Sequence, residues 1–271
     1  MVRMNDYQKA AEMIAGSRRI VAFSGAGISA ESGIPTFRDP GGLWDQFDPE
    51  EFGTSGGILS ALMRKPDLIR SFLLQSVEIF EKAKPNPAHL GLKSLEDMQL
   101  LKAVITQNID NLHQEAGSSC VIEVHGNLFR TRCLNCGAKQ ALNKQELLNR
   151  VKKFFEDHSS GFELMHLAGI LPRCAICKGI TRPDVVMFGE PVQQLPEAFQ
   201  TAESCDLMLV LGTSGVVYPA ASIPYQAYEN RARIIEINPT DNYYHSISEV
   251  YISSPSGQAM PKLIDLLKDL L

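Results

Sequence analysis

Apolar positions along the chain follow two periods, and each predicts a different element. Continuous apolar runs stand at Arg19-Ile20-Val21-Ala22-Phe23, Lys102-Ala103-Val104-Ile105-Thr106, Asp206-Leu207-Met208-Leu209-Val210-Leu211 and Ala232-Arg233-Ile234-Ile235-Glu236-Ile237. Runs this short and this apolar predict strands buried on both faces. Helical spacing lies between them. Ala10, Met13 and Ile14 share a face near the start, and Leu147, Val151 and Phe154 share a face of a segment that opens at Asn143. Glu146 follows Asn143 by three residues, the spacing of a capping box. Pro261–Leu267 predicts a closing helix with its proline in the first turn.

Buried strands alternating with helices predict a doubly wound α/β fold, a parallel sheet covered on both faces. Two stretches interrupt the alternation. One begins at Asp39-Pro40-Gly41-Gly42 and runs to Lys84; the other, Cys133–Arg182, carries paired cysteines and one helix. They predict a smaller domain beside the sheet. The large domain would then comprise residues 1–39, 85–126 and 183–271, and the small one residues 40–84 and 127–182.

Composition changes this picture little. The 271 residues are 44% hydrophobic and 21% charged, which suits a globular core. A net charge of −5 argues against a nucleic-acid binder that relies on a basic face. No apolar run approaches the ~18 residues of a membrane helix, and the acidic residues of Met1–Arg19 do not suit a signal peptide. A cytoplasmic protein with reduced thiols is the expectation. Nothing in the sequence fixes an oligomeric state.

Four motifs carry chemistry. Gly25-Ala26-Gly27-Ile28-Ser29-Ala30 follows the first strand in the G-x-G-x-x-G/A form, which lets a backbone approach a pyrophosphate at a helix start. Gly212-Thr213-Ser214-Gly215 follows the third long strand, and two such loops suit a ligand with two phosphates. The acidic residue expected about 20 positions past the first loop is missing. The strand able to hold a ribose ends at Asn238 instead, so a different nucleotide pose from that of dehydrogenases is expected. Cys133-Leu134-Asn135-Cys136 and Cys174-Ala175-Ile176-Cys177 are two C-x2-C knuckles, a tetrahedral zinc signal. Four thiolates leave no open position for water, so this zinc would be structural. Cys120 and Cys205 are expected as buried core thiols. Finally, Thr106-Gln107-Asn108-Ile109-Asp110 ends a buried strand, and Val124-His125-Gly126 follows closely. A histidine has the proton affinity of a general base near neutral pH. His89, His113 and His245 are expected to be structural, and His158 and His166 to lie at the surface.

Together these segments resemble the sirtuins. The matching strings are Gly25-Ala26-Gly27-Ile28-Ser29, Gly33-Ile34-Pro35-Thr36-Phe37-Arg38, Thr106–Asp110, His125-Gly126, both cysteine pairs, Val185-Val186-Met187-Phe188-Gly189-Glu190, Gly212-Thr213-Ser214 and Ile237-Asn238. They span almost the whole chain in family order. The resemblance implies a Rossmann-like NAD domain beside a small domain made of a zinc ribbon and a helical module. It implies NAD as co-substrate, one structural zinc, and an acyl-lysine protein or peptide entering between the domains.

By the same resemblance, His125 and Asn108 are catalytic. The NAD contacts are Gly25, Ala26, Gly27, Ser29, Thr36, Phe37, Arg38, Trp44, Gln107, Asn108, Ile109, Asp110, His125, Gly212, Thr213, Ser214, Asn238, Pro239, Thr240 and Ser256. Val186, Phe188, Gly189, Glu190 and Val217 would pair with the substrate backbone as an added strand. Leu73 would line the acyl channel, and Cys133, Cys136, Cys174 and Cys177 would hold zinc.

The implied chemistry uses nicotinamide as the leaving group from C1′ of the ribose. The acyl oxygen attacks C1′, and His125 then deprotonates a ribose hydroxyl that attacks the imidate carbon. Free lysine, nicotinamide and O-acyl-ADP-ribose result. Relatives that prefer succinyl or malonyl lysine carry a Tyr-x-x-Arg pair where this chain has Leu73 and Ser76, so acetyl or longer unbranched acyl groups are expected. Mono-ADP-ribosyl transfer, an idle NAD sensor and a zinc-ribbon interaction module are the competing readings. The presence of Arg38, Asn108, Asp110 and His125 favours deacylation.

Overall fold

The structure, a computed structural model, describes residues 4–36, 47–159, 161–162, 164–167 and 169–271. In chain order its strands are β1 (Ile20–Ser24), β2 (Leu101–Thr106), β3 (Val121–Glu123), β4 (Gly126–Cys133), β5 (Lys139–Ala141), β6 (Thr181–Val185), β7 (Leu207–Leu211), β8 (Arg233–Ile237) and β9 (Val250–Ile252).

Six of them form a sheet in the order β3-β2-β1-β7-β8-β9, and every neighbouring pair is parallel. Strand alternation explains the continuous apolar runs. Leu207, Leu209 and Leu211 of β7 face one core, with the helices Met4–Ala15, Pro87–Asp97 and Ser256–Lys268 over them. Met208 and Val210 face the other core, under Leu195–Glu203 and Ile223–Glu229. With both faces covered, β7 carries no polar side chain. Because β1 leads outward to β2 on one side and borders β7 on the other, the strand order reverses between β1 and β7. Crevices at such switch points, outside the strand C-termini, are where ligands bind in this architecture.

The remaining strands form an antiparallel sheet in the order β5-β4-β6. One apolar cluster packs the helix Lys144–Asp157 against Pro66–Lys82, and a second gathers Phe47, Phe52, Ala61 and Ile69. The inserted helix starts as expected: Asn143 accepts a hydrogen bond from the Glu146 N–H at 3.0 Å.

Four local expectations need correction. The last helix begins at Ser256, so Pro261 lies in its interior. Burial of Ser256, Gly257, Ala259 and Met260 against the sheet extends the helix one turn earlier than the proline suggested. The element after Gly25 is a 3-10 helix, Ala26–Ser32. Cys120 is exposed while Cys205 is buried, where burial pushes the thiol up to about 12. Cys120 sits just outside β3, where its carbonyl serves Val104 but no core packs over the residue. His158 is half-buried, stacked 4.4 Å from Phe154, whereas His166 is exposed. His89 and His113 are buried as expected, and the side chain of His245 is 53% exposed.

Candidate active site

The two glycine loops meet at the switch point. Gly25 N–H donates to the Leu211 carbonyl at 3.1 Å, and Gly27 N–H donates to the Gly212 carbonyl at 2.8 Å. A Cβ on Gly212 would lie 2.2 Å from the Ile28 nitrogen, and the residue has a φ of +57°. Only glycine accommodates both the left-handed backbone and the crossing chain. Asn86 braces the 3-10 helix from below, donating to the Ile28 carbonyl at 2.7 Å and to Ser32 Oγ at 2.9 Å.

The strand end after β2 supplies the polar groups. Ser29 Oγ donates to Asp110 Oδ2 at 2.7 Å and accepts from Asn108 Nδ2 at 3.1 Å. Asp110 Oδ1 accepts from the Leu112 N–H at 3.0 Å. Burial raises the carboxyl pKa of Asp110, and these two hydrogen bonds oppose the rise. Gln107 Nε2 reaches Thr213 Oγ1 at 2.9 Å, which links the loop after β2 to the loop after β7. Asn242, which the sequence did not single out, donates to the Thr213 carbonyl at 2.9 Å.

His125 lies at the edge of the same crevice. Its Nδ1 is 2.9 Å from the Gln107 carbonyl. A carbonyl only accepts, so Nδ1 carries the proton and Nε2 keeps its lone pair, the arrangement a general base requires. Burial lowers the pKa of the ring, and the Gln107 contact opposes that in part. The ring therefore stays neutral below the ordinary histidine range.

A second polar layer lies beneath. Ser24 Oγ donates to Thr106 Oγ1 at 2.9 Å and pairs with His113 Nε2 at 2.9 Å, and Thr106 Oγ1 also accepts from the Asn108 N–H at 3.1 Å. Ser24 and His113 carry no sequence signal for this role, because the contact joins residues far apart in the chain.

The remaining predicted nucleotide residues fall at the same strand ends. Asn238 is buried at the end of β8, where its side chain donates to the Thr240 carbonyl at 2.9 Å; Pro239, Thr240 and Ser214 are exposed. Ser256 is buried at the start of the last helix, and its hydroxyl lacks a hydrogen-bond partner among the described residues. An orphaned buried hydroxyl on a helix that meets the first glycine segment fits a polar ligand such as NAD. Ala26 and Thr36 are half-buried at the two ends of the first glycine segment. Phe37, Arg38 and Trp44 lie outside the described residues.

The predicted substrate residues line the junction of the two sheets. Val186 N–H donates to the His125 carbonyl at 2.9 Å, and Phe188 N–H donates to the Gly53 carbonyl at 2.8 Å. Phe188 and Gly189 are exposed, and Val217 is half-buried on the loop after β7. Glu190 binds Arg182 through both carboxylate oxygens at 2.6 and 2.5 Å, and this pairing draws its pKa down to about 2. Leu73 packs against both apolar clusters of the helical segment, and Phe72 touches Phe47 and Phe52.

The four cysteines converge as their spacing predicts. Their sulfurs all lie within 4.8 Å of one another, with Cys133–Cys177 at 3.4 Å and Cys136–Cys174 at 3.7 Å. Tetrahedral zinc at about 2.3 Å from each thiolate requires sulfurs about 3.8 Å apart, so the set fits this ion.

Known proteins agree with this architecture. The sequence profile of the Sir2 family matches residues 25–219. An NAD-dependent protein deacylase of Desulfosudis oleivorans is 47% identical over 264 residues, 97% of this chain and 96% of that protein. A solved Sir2 enzyme structure is 41% identical with a TM-score of 0.78, covering 99% of this chain and 100% of the other. The structure of Sir2Af2 bound to a myristoylated histone peptide is 36% identical with a TM-score of 0.70, over 99% and 98% of the two chains. The profile match and the near-complete overlap establish that this chain belongs to the Sir2 family, the sirtuins.

Proposed function

We propose that this chain is an NAD-dependent lysine deacylase that moves an acyl group from a protein or peptide lysine onto ADP-ribose and releases nicotinamide. The observation that carries the reading is the orientation of His125, with Nδ1 committed to the Gln107 carbonyl and Nε2 left to take a proton. In this reading the glycine loops and Thr213 bind the two phosphates, and Asn238, Pro239, Thr240, Ser214 and Ser256 surround the adenosine. Gln107, Asn108, Ile109 and Asp110 line the ribose and nicotinamide pocket. The Ser29–Asp110–Asn108 hydrogen bonds orient the Asn108 amide. Once the acyl oxygen has displaced nicotinamide from C1′, His125 removes a proton from a ribose hydroxyl, and that oxygen attacks the imidate carbon. The lysine amine leaves with a proton, and a water molecule then opens the bridged sugar to O-acyl-ADP-ribose. Cys133, Cys136, Cys174 and Cys177 would hold a zinc ion whose role is to join the two knuckles, with its four thiolate ligands leaving no position for a reacting water. A tetrathiolate site needs reduced cysteines, which agrees with a cytoplasmic setting. Among the described residues no helix is long and apolar enough to cross a membrane.

The substrate strand is taken up by Val186, Phe188, Gly189, Glu190 and Val217 between the sheet and the small domain, with the domain boundaries given above. The acyl chain runs toward Leu73 and Phe72, so acetyl or longer unbranched groups are preferred over succinyl and malonyl. Two side chains support this preference. Ser76 Oγ turns back to the Phe72 carbonyl at 2.7 Å, and the Arg70 guanidinium donates to the Ser159 and Phe155 carbonyls at 3.1 and 3.2 Å. Neither is offered to an acyl carboxylate.

The test is turnover of an acetyl-lysine peptide with NAD, reading nicotinamide and O-acetyl-ADP-ribose by mass spectrometry beside the His125→Ala variant. Both products from the native protein, with acyl transfer lowered at least ~100-fold in the variant, are expected. Nicotinamide without the acetylated sugar would move the assignment to ADP-ribosyl transfer or NAD hydrolysis. A preference for succinyl-lysine would overturn the acyl assignment alone.

A further inference from the structure

The backbone of His125 adjoins an ionic chain, built on two buried carboxylates and the partly exposed Arg130, that the proposed chemistry does not use. Arg130, on β4, donates from Nη1 to Glu123 Oε2 at 2.6 Å and from Nε to Asp184 Oδ2 at 2.7 Å. The side chain of Asp184 is 0% exposed and that of Glu123 is 6% exposed. Asp184 also accepts from Gln193 Nε2 at 2.9 Å and pairs with Lys139 Nζ at 3.0 Å. Glu123 accepts from Gln114 Nε2 at 2.7 Å and from Asn127 Nδ2 at 2.5 Å. One guanidinium therefore joins a carboxylate at the end of β3 to a carboxylate on β6.

His125 lies between those two anchors. Val124 N–H donates to the Thr106 carbonyl at 3.1 Å, Gln193 N–H donates to the Val124 carbonyl at 2.9 Å, and Val186 N–H donates to the His125 carbonyl at 2.9 Å. Gly126 has a φ of +82°, and a Cβ there would lie 1.9 Å from the Asp184 carbonyl oxygen. The segment that carries the histidine is thus pressed against the backbone of Asp184 with no room for adjustment. Burying several charges is a poor route to stability, because desolvation offsets most of the attraction. Its effect is geometric: the planar guanidinium, with N–H donors in fixed directions, bridges the two carboxylates and sets their direction as well as their distance.

We infer that Arg130, through Glu123 and Asp184, is a positioning residue that sets where the His125 ring stands relative to the ribose hydroxyl. The inference rests on the assignment of His125 as the base. Its consequence is selective, because the reaction has two stages. Release of nicotinamide needs the acyl oxygen and the bound sugar, whereas the base acts only afterwards. A displaced ring should slow the second stage and spare the first.

The experiment uses the full chain with NAD and an acetyl-lysine peptide. Labelled nicotinamide exchange into NAD reads the first stage, and O-acetyl-ADP-ribose formation reads the second. Arg130→Met, Arg130→Lys and the near-isosteric Asp184→Asn are compared with the native protein and with His125→Ala. Arg130→Met and Asp184→Asn should lower kcat for acyl transfer by roughly ten- to a hundredfold, the scale of an ångström of misplacement. Exchange, and KM for both substrates, should stay within about twofold, and Arg130→Lys, which keeps the charge without the fork, should fall between. Equal losses in both stages, or no loss in either, overturn the inference, and Asp184→Asn serves if Arg130→Met fails to fold. If His125→Ala itself leaves acyl transfer unchanged, the assignment of the base fails, a result separable from failure of the positioning role.

Discussion

The six-stranded sheet and the small region beside it solve the problem of rigidity by opposite means. In the sheet, β1 and β7 are buried throughout, and two apolar cores grip them from either side. In these two strands the only polar side chain is Ser24, at the end of β1, where glycine backbones and short side chains form the crevice. Around β4, β5 and β6 an apolar cluster on one side is supplemented by four sulfurs and a set of partly buried ion pairs among Glu123, Arg130, Lys139, Asp184, Arg182 and Glu190. Apolar burial tolerates a lost contact at a graded cost, whereas a metal site or a buried charge pair fails as a unit. His125 stands at the junction of the two regimes, at the end of β3 and the start of β4.

This contrast can be broken most sharply through the cysteines. Stripping zinc with a chelator, or replacing Cys136 by Ser, should collapse the β4–β5–β6 region. Structural zinc in small folds is worth on the order of 10 kcal/mol. Amide hydrogen exchange should show lost protection at Arg130–Cys133 while β1 and β7 stay protected; uniform loss over both sheets would mean that the regions are not separable.

Next in size, Leu209→Ala removes a fully buried side chain from the central strand and should cost about 2–5 kcal/mol in a denaturant titration. The coordination of the cysteines should be untouched, as cobalt substitution would report by its absorption. Gly212→Ala should cost about 1–2 kcal/mol from its left-handed backbone, with a further loss from the clash at Ile28. Its larger effect should be on NAD affinity, read by calorimetry, because the loop must open to admit the methyl group.

The smallest effects are those of pH. Burial lowers the His125 pKa, so the acid limb of kcat/KM should fall below the ordinary histidine value near 6.5. An acid limb above that value would mean that another group controls it. Glu190 titrates at about 2 in the folded chain against 4.5 ordinarily. Its ion pair with Arg182 therefore contributes fully above about 4.5 and is lost as the pH falls toward 2. Glu190→Gln should abolish that part of the acid sensitivity, a difference measurable in paired thermal melts.

Much of the fold was legible because apolar burial writes itself locally. The runs at 19–23, 102–106, 206–211 and 232–237 each overlap a strand of the sheet to within one residue at either end, and the spacing of the two C-x2-C knuckles matches the cysteine cluster. Element ends were less legible. Pro261 suggested a later start for the last helix than the one found, because tertiary burial of Ser256–Met260 outweighed the local signal. Cys120 looked like a core thiol by residue type, yet it sits just past the edge of the packed layers.

The sequence by itself determined the fold class, the glycine loops, the four-cysteine cluster and the candidate base, since each depends on residue type and short spacing. Only the tertiary structure decided what surrounds them. The Ser24–His113–Thr106 layer, the Gln107–Thr213 link and the Glu123–Arg130–Asp184 chain join residues up to 106 positions apart in the chain. A side chain gives no sign in sequence of which distant partner it will meet. That choice follows from the packing of the two sheets, which brings the ends of β3, β4 and β6 together around His125.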